Sequence, residues 1–412
     1  MTLSHLLSWA KKGSFTTLDQ GLFAGANFLI NILLARWLEP AQYGAFAVVY
    51  SVFLLLASFH TAVLTEPMLV FGAGKYEQRF REYLGILFYG HWRITGVLAL
   101  VLALATPLFG YFGSQALTQA LAGLVVASPF ILFLWLVRRA CYVLSQPQWA
   151  MTGSALYLVL MLMGMCGFYW KLWLSVSWVL VILGIVSFLV SLWLSTLLHA
   201  QWRLAGASPI LGMVLADHYQ YGRWSLIAAF LCWLSGEILS ILVPVLLGLD
   251  AGARMSAVGN LFKPLSLFTS SLSQLILPYI SSLVHHGEPK ASIKKRLTWI
   301  AFIYSGAASV YGLLMVVGGD YIVKYLYNGK YNEPGLVVLL GFFHTASVIT
   351  TVFSIGIMAT GSTRVVSQIW SISALFVTFG AIPAILLGKL YGALTILILS
   401  YLVATLAAWR RL

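Results

Sequence analysis

The chemistry of this 412-residue chain is concentrated in a few charges that stand where charge is expensive. Lys263 lies within the apolar stretch Met255 to Val284, and Glu237 within Trp224 to Leu247. An ionised group at the centre of a bilayer span costs roughly 2.5–3.5 kcal/mol on insertion scales, so such groups pair with one another or mark the path of an ion or charged substrate. At about 1.5 Å rise per residue, Lys263 lies roughly 13 Å inward from Arg254 and Glu237 roughly 21 Å outward from Arg223. The two therefore share a depth on consecutive spans. Either they form an ion pair that ties the seventh and eighth spans together, or they face a common aqueous cavity. Desolvating an ion pair costs more than packing two apolar residues in its place, which favours the cavity.

Other polar residues inside apolar stretches are secondary candidates. If the third span begins at Leu84, Arg93 is roughly 13 Å deep; if it begins at Ile94, Arg93 and His91 are interfacial and Trp92 joins an aromatic belt. Asp19 and Glu66 fall near inner helix ends, where a carboxylate reaches water or a loop lysine. Together with His60 they are candidates for ion coupling or for gating the inner mouth. Asn27 and Asn31, four apart on one helix face, offer neutral hydrogen bonding at mid-membrane. His344 is a lone polar residue in the tenth span. Cys141, Cys166 and Cys232 lie far apart in apolar stretches, without metal or redox spacing, and read as buried structural thiols. No metal or cofactor is expected. Gly72-Ala73-Gly74-Lys75 has the tail of a phosphate loop but neither its spacing nor the Ser/Thr after the lysine. Ser292 and Lys295 match Ser-x-x-Lys, yet stand alone in a basic loop.

What must position these groups is a membrane bundle. With 61% hydrophobic and 8% charged residues, the chain has too little polar surface to cover a soluble globule. Twelve stretches reach the length of about 20 residues that spans a hydrocarbon core: Phe15 to Trp37, Tyr43 to Phe71, Leu84 to Phe109, Leu117 to Val137, Ala150 to Trp170, Ser175 to Leu198, Trp224 to Leu247, Met255 to Val284, Leu297 to Val317, Gly335 to Ala359, Ile369 to Leu387 and Tyr391 to Trp409. All should be helices, because backbone in lipid must satisfy its own hydrogen bonds. Seventeen lysines and arginines, Arg138 and Arg139 among them, fall in the odd gaps and the termini, against six in the even gaps. Such an excess marks the cytoplasmic side, so both termini are expected there. A net charge of +13 carried on short loops is drawn to anionic headgroups rather than to nucleic acid. Lys11 and Lys12 before an apolar run have the look of a signal peptide, but Arg36, Glu39 and Pro40 follow in place of a small-residue cleavage site, and an uncleaved first span is expected.

The loop His199 to Tyr221 divides the chain into six-span halves, 1–205 and 206–412. An even number of spans returns each half to its starting side, so the halves are expected to be parallel, pseudo-symmetric repeats. Sliding the chain by 211 positions sets Leu38-Glu39 on Leu249-Asp250 and Pro67 on Pro278, which favours a duplication. Kinks are expected at Pro67, Pro129, Pro244, Pro264, Pro278 and Pro383, and close helix packing at Gly21 and Gly25.

One segment is more specific. Gln20-Gly21-Leu22, Asn27-Phe28-Leu29, the run Leu33 to Pro40 and the run Tyr43 to Ala47 closely resemble the first hairpin of bacterial polysaccharide-type flippases in the multidrug/oligosaccharidyl-lipid/polysaccharide exporter superfamily. Thr65-Glu66-Pro67-Met68 and the stretch Tyr325 to Tyr331 look like further elements of that family. The resemblance is strong over Gln20 to Tyr76 and looser elsewhere. It implies an all-α polytopic membrane protein whose twelve transmembrane helices form a V-shaped pair of parallel, pseudo-symmetric six-helix bundles around a central cavity. It also implies a cargo, a polyprenyl-diphosphate-linked oligosaccharide carried from the inner to the outer leaflet of the bacterial plasma membrane for surface polysaccharide assembly. Membrane lipids and other polysaccharide-assembly proteins are the implied partners. Family cavities are often lined by cations that meet the diphosphate; here Lys263, Arg93 and Arg36 are the residues open to that role, a departure from strongly cationic cavities. Protons or sodium drive members of the superfamily, and Asp19, Glu66 and Glu237 are the carboxylates in or near spans.

Two other classes compete. A multidrug or cation antiporter of the same superfamily would share the architecture but calls for an acidic, aromatic cavity, and mid-span carboxylates are scarce. A polysaccharide polymerase or glycosyltransferase calls for a sizeable extramembrane loop, and the longest outer one, Gly318 to Pro334, holds only Asp320, Lys324, Lys330 and Glu333 as charges.

Overall fold

The computed structural model describes residues 3–72, 74–111, 115–200, 209–331, 333–359 and 363–412, without the side chains of 3–13, 109–111, 270–275, 277, 278, 281, 282, 285, 320 and 363. The expected division at 205/206 and the side chains of Lys11, Lys12 and Pro278 lie outside the described residues. Among those described, every regular element is helical. One compact unit runs from Met1 to Phe230 and a second from Leu231 to Leu412.

The first unit holds α1 (Leu3–Trp37), α2 (Pro40–His60), α3 (Glu66–Gly72), α4 (Phe80–Tyr111), α5 (Gln115–Val143), α6 (Pro147–Trp170), α7 (Val176–Leu198) and α8 (Leu211–Gly236) as far as Phe230. Pro40 starts α2 because a proline at the first helical position forfeits no intrahelical bond, and it keeps Glu39 extended at φ −66°, ψ 150°. Between α2 and α3, Thr61–Thr65 form a single π turn. Pro67 accounts for the disturbance, since it has no N–H to offer the carbonyl of Val63. That carbonyl accepts instead from His218 Nδ1 on α8, at 2.8 Å. A carbonyl freed within a membrane needs such a donor. At the crossing of α5 and α7 the backbones nearly touch. A Cβ added at Gly184 would lie 3.0 Å from Cα of Ala127, and one at Gly123 would lie 3.1 Å from Cβ of Leu180. Among the described residues nothing lies within 4 Å of a Cβ added at Gly21 or Gly25, so the close packing expected there is not seen.

The second unit continues from α8 into α9 (Leu239–Leu247), α10 (Leu249–Asn260), α11 (Lys263–His285), α12 (Lys290–Tyr327), α13 (Pro334–Ala359) and α14 (Thr363–Arg411). Its first two spans are broken. The axes of α8 and α9 differ by 44°. Pro264 denies a partner to the carbonyl of Asn260 and disfavours helical geometry in the residue before it, so the chain leaves α10 at Leu261 and re-enters a helix at Lys263. Hydroxyls from α12 cover carbonyls at this break: Tyr311 donates to Leu261 O at 2.6 Å and Tyr327 to Ala257 O at 3.0 Å. Within α14 the chain turns at Lys389, at φ 50° and ψ −132°, and its two legs pack through Ser373 and Ser400.

Nine of the described helices are long and apolar enough to cross a membrane, and α8 with α9 makes a tenth. With α10 and α11 as one broken span and α14 as two, the chain crosses twelve times, an all-α polytopic membrane protein. Because α4 begins at Phe80, Arg93 stands well inside a helix and is not at its entry.

Candidate functional site

In the second unit both isolated charges stand at helix breaks. Glu237 follows the last residue of α8, and Lys263 is the first residue of α11. Each is half-buried. The Glu237 carboxylate is close enough to act on the Lys263 ammonium, and on Cys232 and Tyr401 as well. Lys263 puts its ammonium in the first turn of α11, where Pro264 has no N–H and the amides of Leu265 and Ser266 both donate to Phe262 O. Aromatic rings adjoin both charges. Phe262, next to Lys263, stacks on His344 with centroids 5.2 Å apart and 7° between planes, and Tyr311 meets it edge-on at 6.0 Å. Tyr401 is met edge-on by Phe343 at 5.0 Å and Trp370 at 5.6 Å. His344, alone in the sequence, is a stacking partner here. The arrangement offers a cation for an anionic group, an internal counter-ion to compete for it, and flat apolar rings beside them.

The first unit holds a second polar cluster, and two of its members are not the loop charges that the sequence suggests. Arg138 and Arg139 lie inside α5, not in a cytoplasmic loop. Arg138 is only 7% exposed and bonds Asp19, which is fully buried, at 2.7 Å. Tyr142 and Ser154 also donate to the Asp19 carboxylate, and the Arg138 guanidinium covers the Phe23 ring at 3.8 Å. Arg139 donates to the hydroxyls of Thr61 and Thr65 across the π turn, with Glu66 near enough to attract it. Glu66 itself accepts from Ser225 on α8. A sequence signal for the two arginines exists: Leu136-Val137 and Ala140-Cys141 flank them, so the apolar run continues past the charges.

His60 and His91 are both fully buried, with His60 Nε2 2.9 Å from His91 Nδ1. One proton sits between them, because one ring must donate and the other accept. Arg93 points elsewhere, exposed and 4.4 Å from the Tyr89 ring. Arg36 is half-buried in the last turn of α1, where a cation complements the helix dipole. Asn27 and Asn31 do meet at one cavity, together with Tyr50, Trp135 and Tyr157. The cavity measures only about 30 Å³, room for one or two waters and not for a sugar. Both amides donate to their own helix, Asn27 to Phe23 O at 2.9 Å and Asn31 to Asn27 O at 2.8 Å. Of the three cysteines, Cys141 is buried as expected, while Cys166 and Cys232 are exposed.

Solved structures share this arrangement of helices. A multidrug resistance MATE family transporter of the MOP superfamily, in an inward-facing conformation, is 14% identical over 95% of this chain and 94% of its own, with a TM-score of 0.78. Lipid II flippase MurJ, in an inward closed conformation, is 12% identical over 96% of this chain and 87% of its own, with a TM-score of 0.74. The Vibrio cholerae MATE transporter VcmN is 16% identical, covering 98% and 97%, with a TM-score of 0.64. This chain has the MOP-superfamily transporter fold. No family model matches its sequence, and no curated protein does. Within the MOP fold, this chain places Lys263 at the break in its eighth span and Glu237 at the break in its seventh.

Proposed function

We propose that this protein is a membrane transporter that works by alternating access and carries a polyprenyl-diphosphate-linked oligosaccharide from the inner to the outer leaflet, for surface polysaccharide assembly. The observation that carries the reading is Lys263, a half-buried cation at the start of α11 within a membrane span, with Glu237 near enough to act on it electrostatically. A diphosphate is a dense anion, and an ammonium draws it away from water. Glu237 competes for the same ammonium and so provides a way to release the cargo. The half-buried ring of Tyr401 suits the flat face of a sugar, and the prenyl tail stays in lipid. The fold shared with a lipid II flippase supports the reading. Protons or sodium remain the candidate driving ions, with Glu66 and His60 the residues to receive them; Asp19, whose carboxylate is engaged by three donors, serves as an anchor.

Deleting the gene in its native cell is expected to leave lipid-linked oligosaccharide accumulated on the inner leaflet, measured by enzymatic accessibility of the glycan in sealed vesicles of known orientation. Unchanged distribution, with lost drug resistance instead, points to the second reading, a multidrug or cation antiporter. Glu237 beside Tyr401 is the feature that favours that alternative, since a carboxylate with an aromatic ring suits a cation. Both termini are assigned to the cytoplasm. A fluorescent protein fused after Leu412 is therefore expected to mature and fluoresce, and alkaline phosphatase fused there to be inactive; the opposite pair of results reverses the orientation.

A further inference from the structure

We propose that a groove between the start of α12 and the end of α14 binds an anionic phospholipid, its phosphate at Lys295 and one acyl chain along Trp299 and Phe302. Ala291, Lys295, Thr298, Trp299 and Phe302 line the groove from α12, and Trp409 lines it from α14. Spacings of four, three, one and three residues put the α12 members on one helix face, with the cation toward the helix end and the rings deeper. Trp299 is 59% exposed and Phe302 69%, and they meet edge-on at 5.9 Å. Exposed rings on a span face the acyl region, so an occupant must be apolar there and polar at Lys295.

The three consecutive cations here have different employment. Lys294 donates to the carbonyl of Trp409 at 2.8 Å and lies 3.9 Å from its ring, which caps the last turn of α14. Arg296 pairs with Glu288 at 3.1 Å and donates to the Tyr279 hydroxyl. Lys295 is exposed and, among the described residues, has neither an ion-pair nor a hydrogen-bond partner. Lys294 keeps two N–H donors after capping α14. The groove thus presents one uncommitted ammonium and a second, oriented one above an aromatic wall. A zwitterionic lipid would add a positive choline or ethanolamine beside them, whereas phosphatidylglycerol adds none. Charge complementarity therefore selects the anionic lipid, and a basic groove of this kind between membrane helices is a known way to hold its headgroup.

The test uses the full-length protein in detergent, titrated with phosphatidylglycerol or phosphatidylcholine and read by native mass spectrometry for bound lipid. The wild type is expected to retain phosphatidylglycerol in preference to phosphatidylcholine. K295Q is expected to lower that affinity about fivefold, the worth of one lysine near a membrane surface, and F302A to weaken retention of both lipids. K290Q, an exposed cation on the same helix outside the groove, is expected to behave as wild type. Equal losses in K295Q and K290Q, no preference between the two lipids, or displacement of phosphatidylglycerol by millimolar inorganic phosphate would each overturn the proposal. All three substitutions alter exposed side chains, so a folded protein is expected in every arm.

Discussion

Replacing Arg138 with methionine is expected to destabilise the first helical unit by about 3–5 kcal/mol, the usual consequence of removing one partner of a buried ion pair. The mechanism is specific to this site. Asp19 is fully buried and accepts from Arg138, Tyr142 and Ser154, which ties α1 to α5 and α6. Methionine fills the volume of the arginine stem but leaves the carboxylate without its cation. Thermal unfolding of the purified protein in detergent reads the loss. The double variant D19N/R138M removes both charges together and is expected to recover part of it, since the cost arises from the uncompensated charge and not from the missing attraction. An R138M protein that melts with the wild type would show that the pair is not what holds these helices. Full rescue of R138M by D19N, with transport intact, would place Asp19 outside the ion-coupling machinery as well.

The second large effect is expected at Lys263. Its replacement by alanine is expected to lower translocation of lipid-linked oligosaccharide about tenfold to a hundredfold, the range for hydrogen bonds made by a charged group, with little change in protein abundance. Arginine at the same position keeps the charge and is expected to keep more of the activity than alanine does. E237Q leaves Lys263 without its internal competitor and is expected to hold cargo longer, so that binding tightens while turnover falls. Translocation of labelled lipid-linked sugar into vesicles, normalised to the amount of inserted protein, separates these outcomes. Equal losses of abundance and transport in K263A would reduce Lys263 to a structural role, and tighter binding with faster turnover in E237Q would remove Glu237 from the release step.

Much of this was legible along the chain, and for a local reason. Whether a stretch crosses a membrane depends on its own hydropathy and length, so the helical class and the twelve crossings follow from the order of apolar residues. Lys263 and Glu237 were visible for the same reason, as charges without a loop to explain them. Helix breaks were only half legible. Pro264 announces the break before α11, but the donors that make it tolerable, Tyr311 and Tyr327, come from another helix. Pro67 likewise announces a disturbed second span, yet the π turn depends on His218, which lies 155 residues away in the chain. The spacing of Asn27 and Asn31 shows that they share a helix face, but not that their amides donate to their own helix, Asn27 to Phe23 O and Asn31 to Asn27 O, beside one small cavity.

By itself the sequence determined the membrane class, the helical content, the approximate spans and the two charges that no topology explains. Only the tertiary structure decided which of the remaining charges are buried. Arg138, at the edge of an apolar run, looks like a loop residue until Asp19, 119 positions earlier, is seen beside it. The helices end where they do, and Arg93 faces outward while His91 faces inward, because of neighbours that are distant in sequence. The physical reason is that hydropathy is a property of one segment against its solvent, whereas the cost of a buried charge or a freed carbonyl is set by its partner, and a partner exists only once the helices have packed.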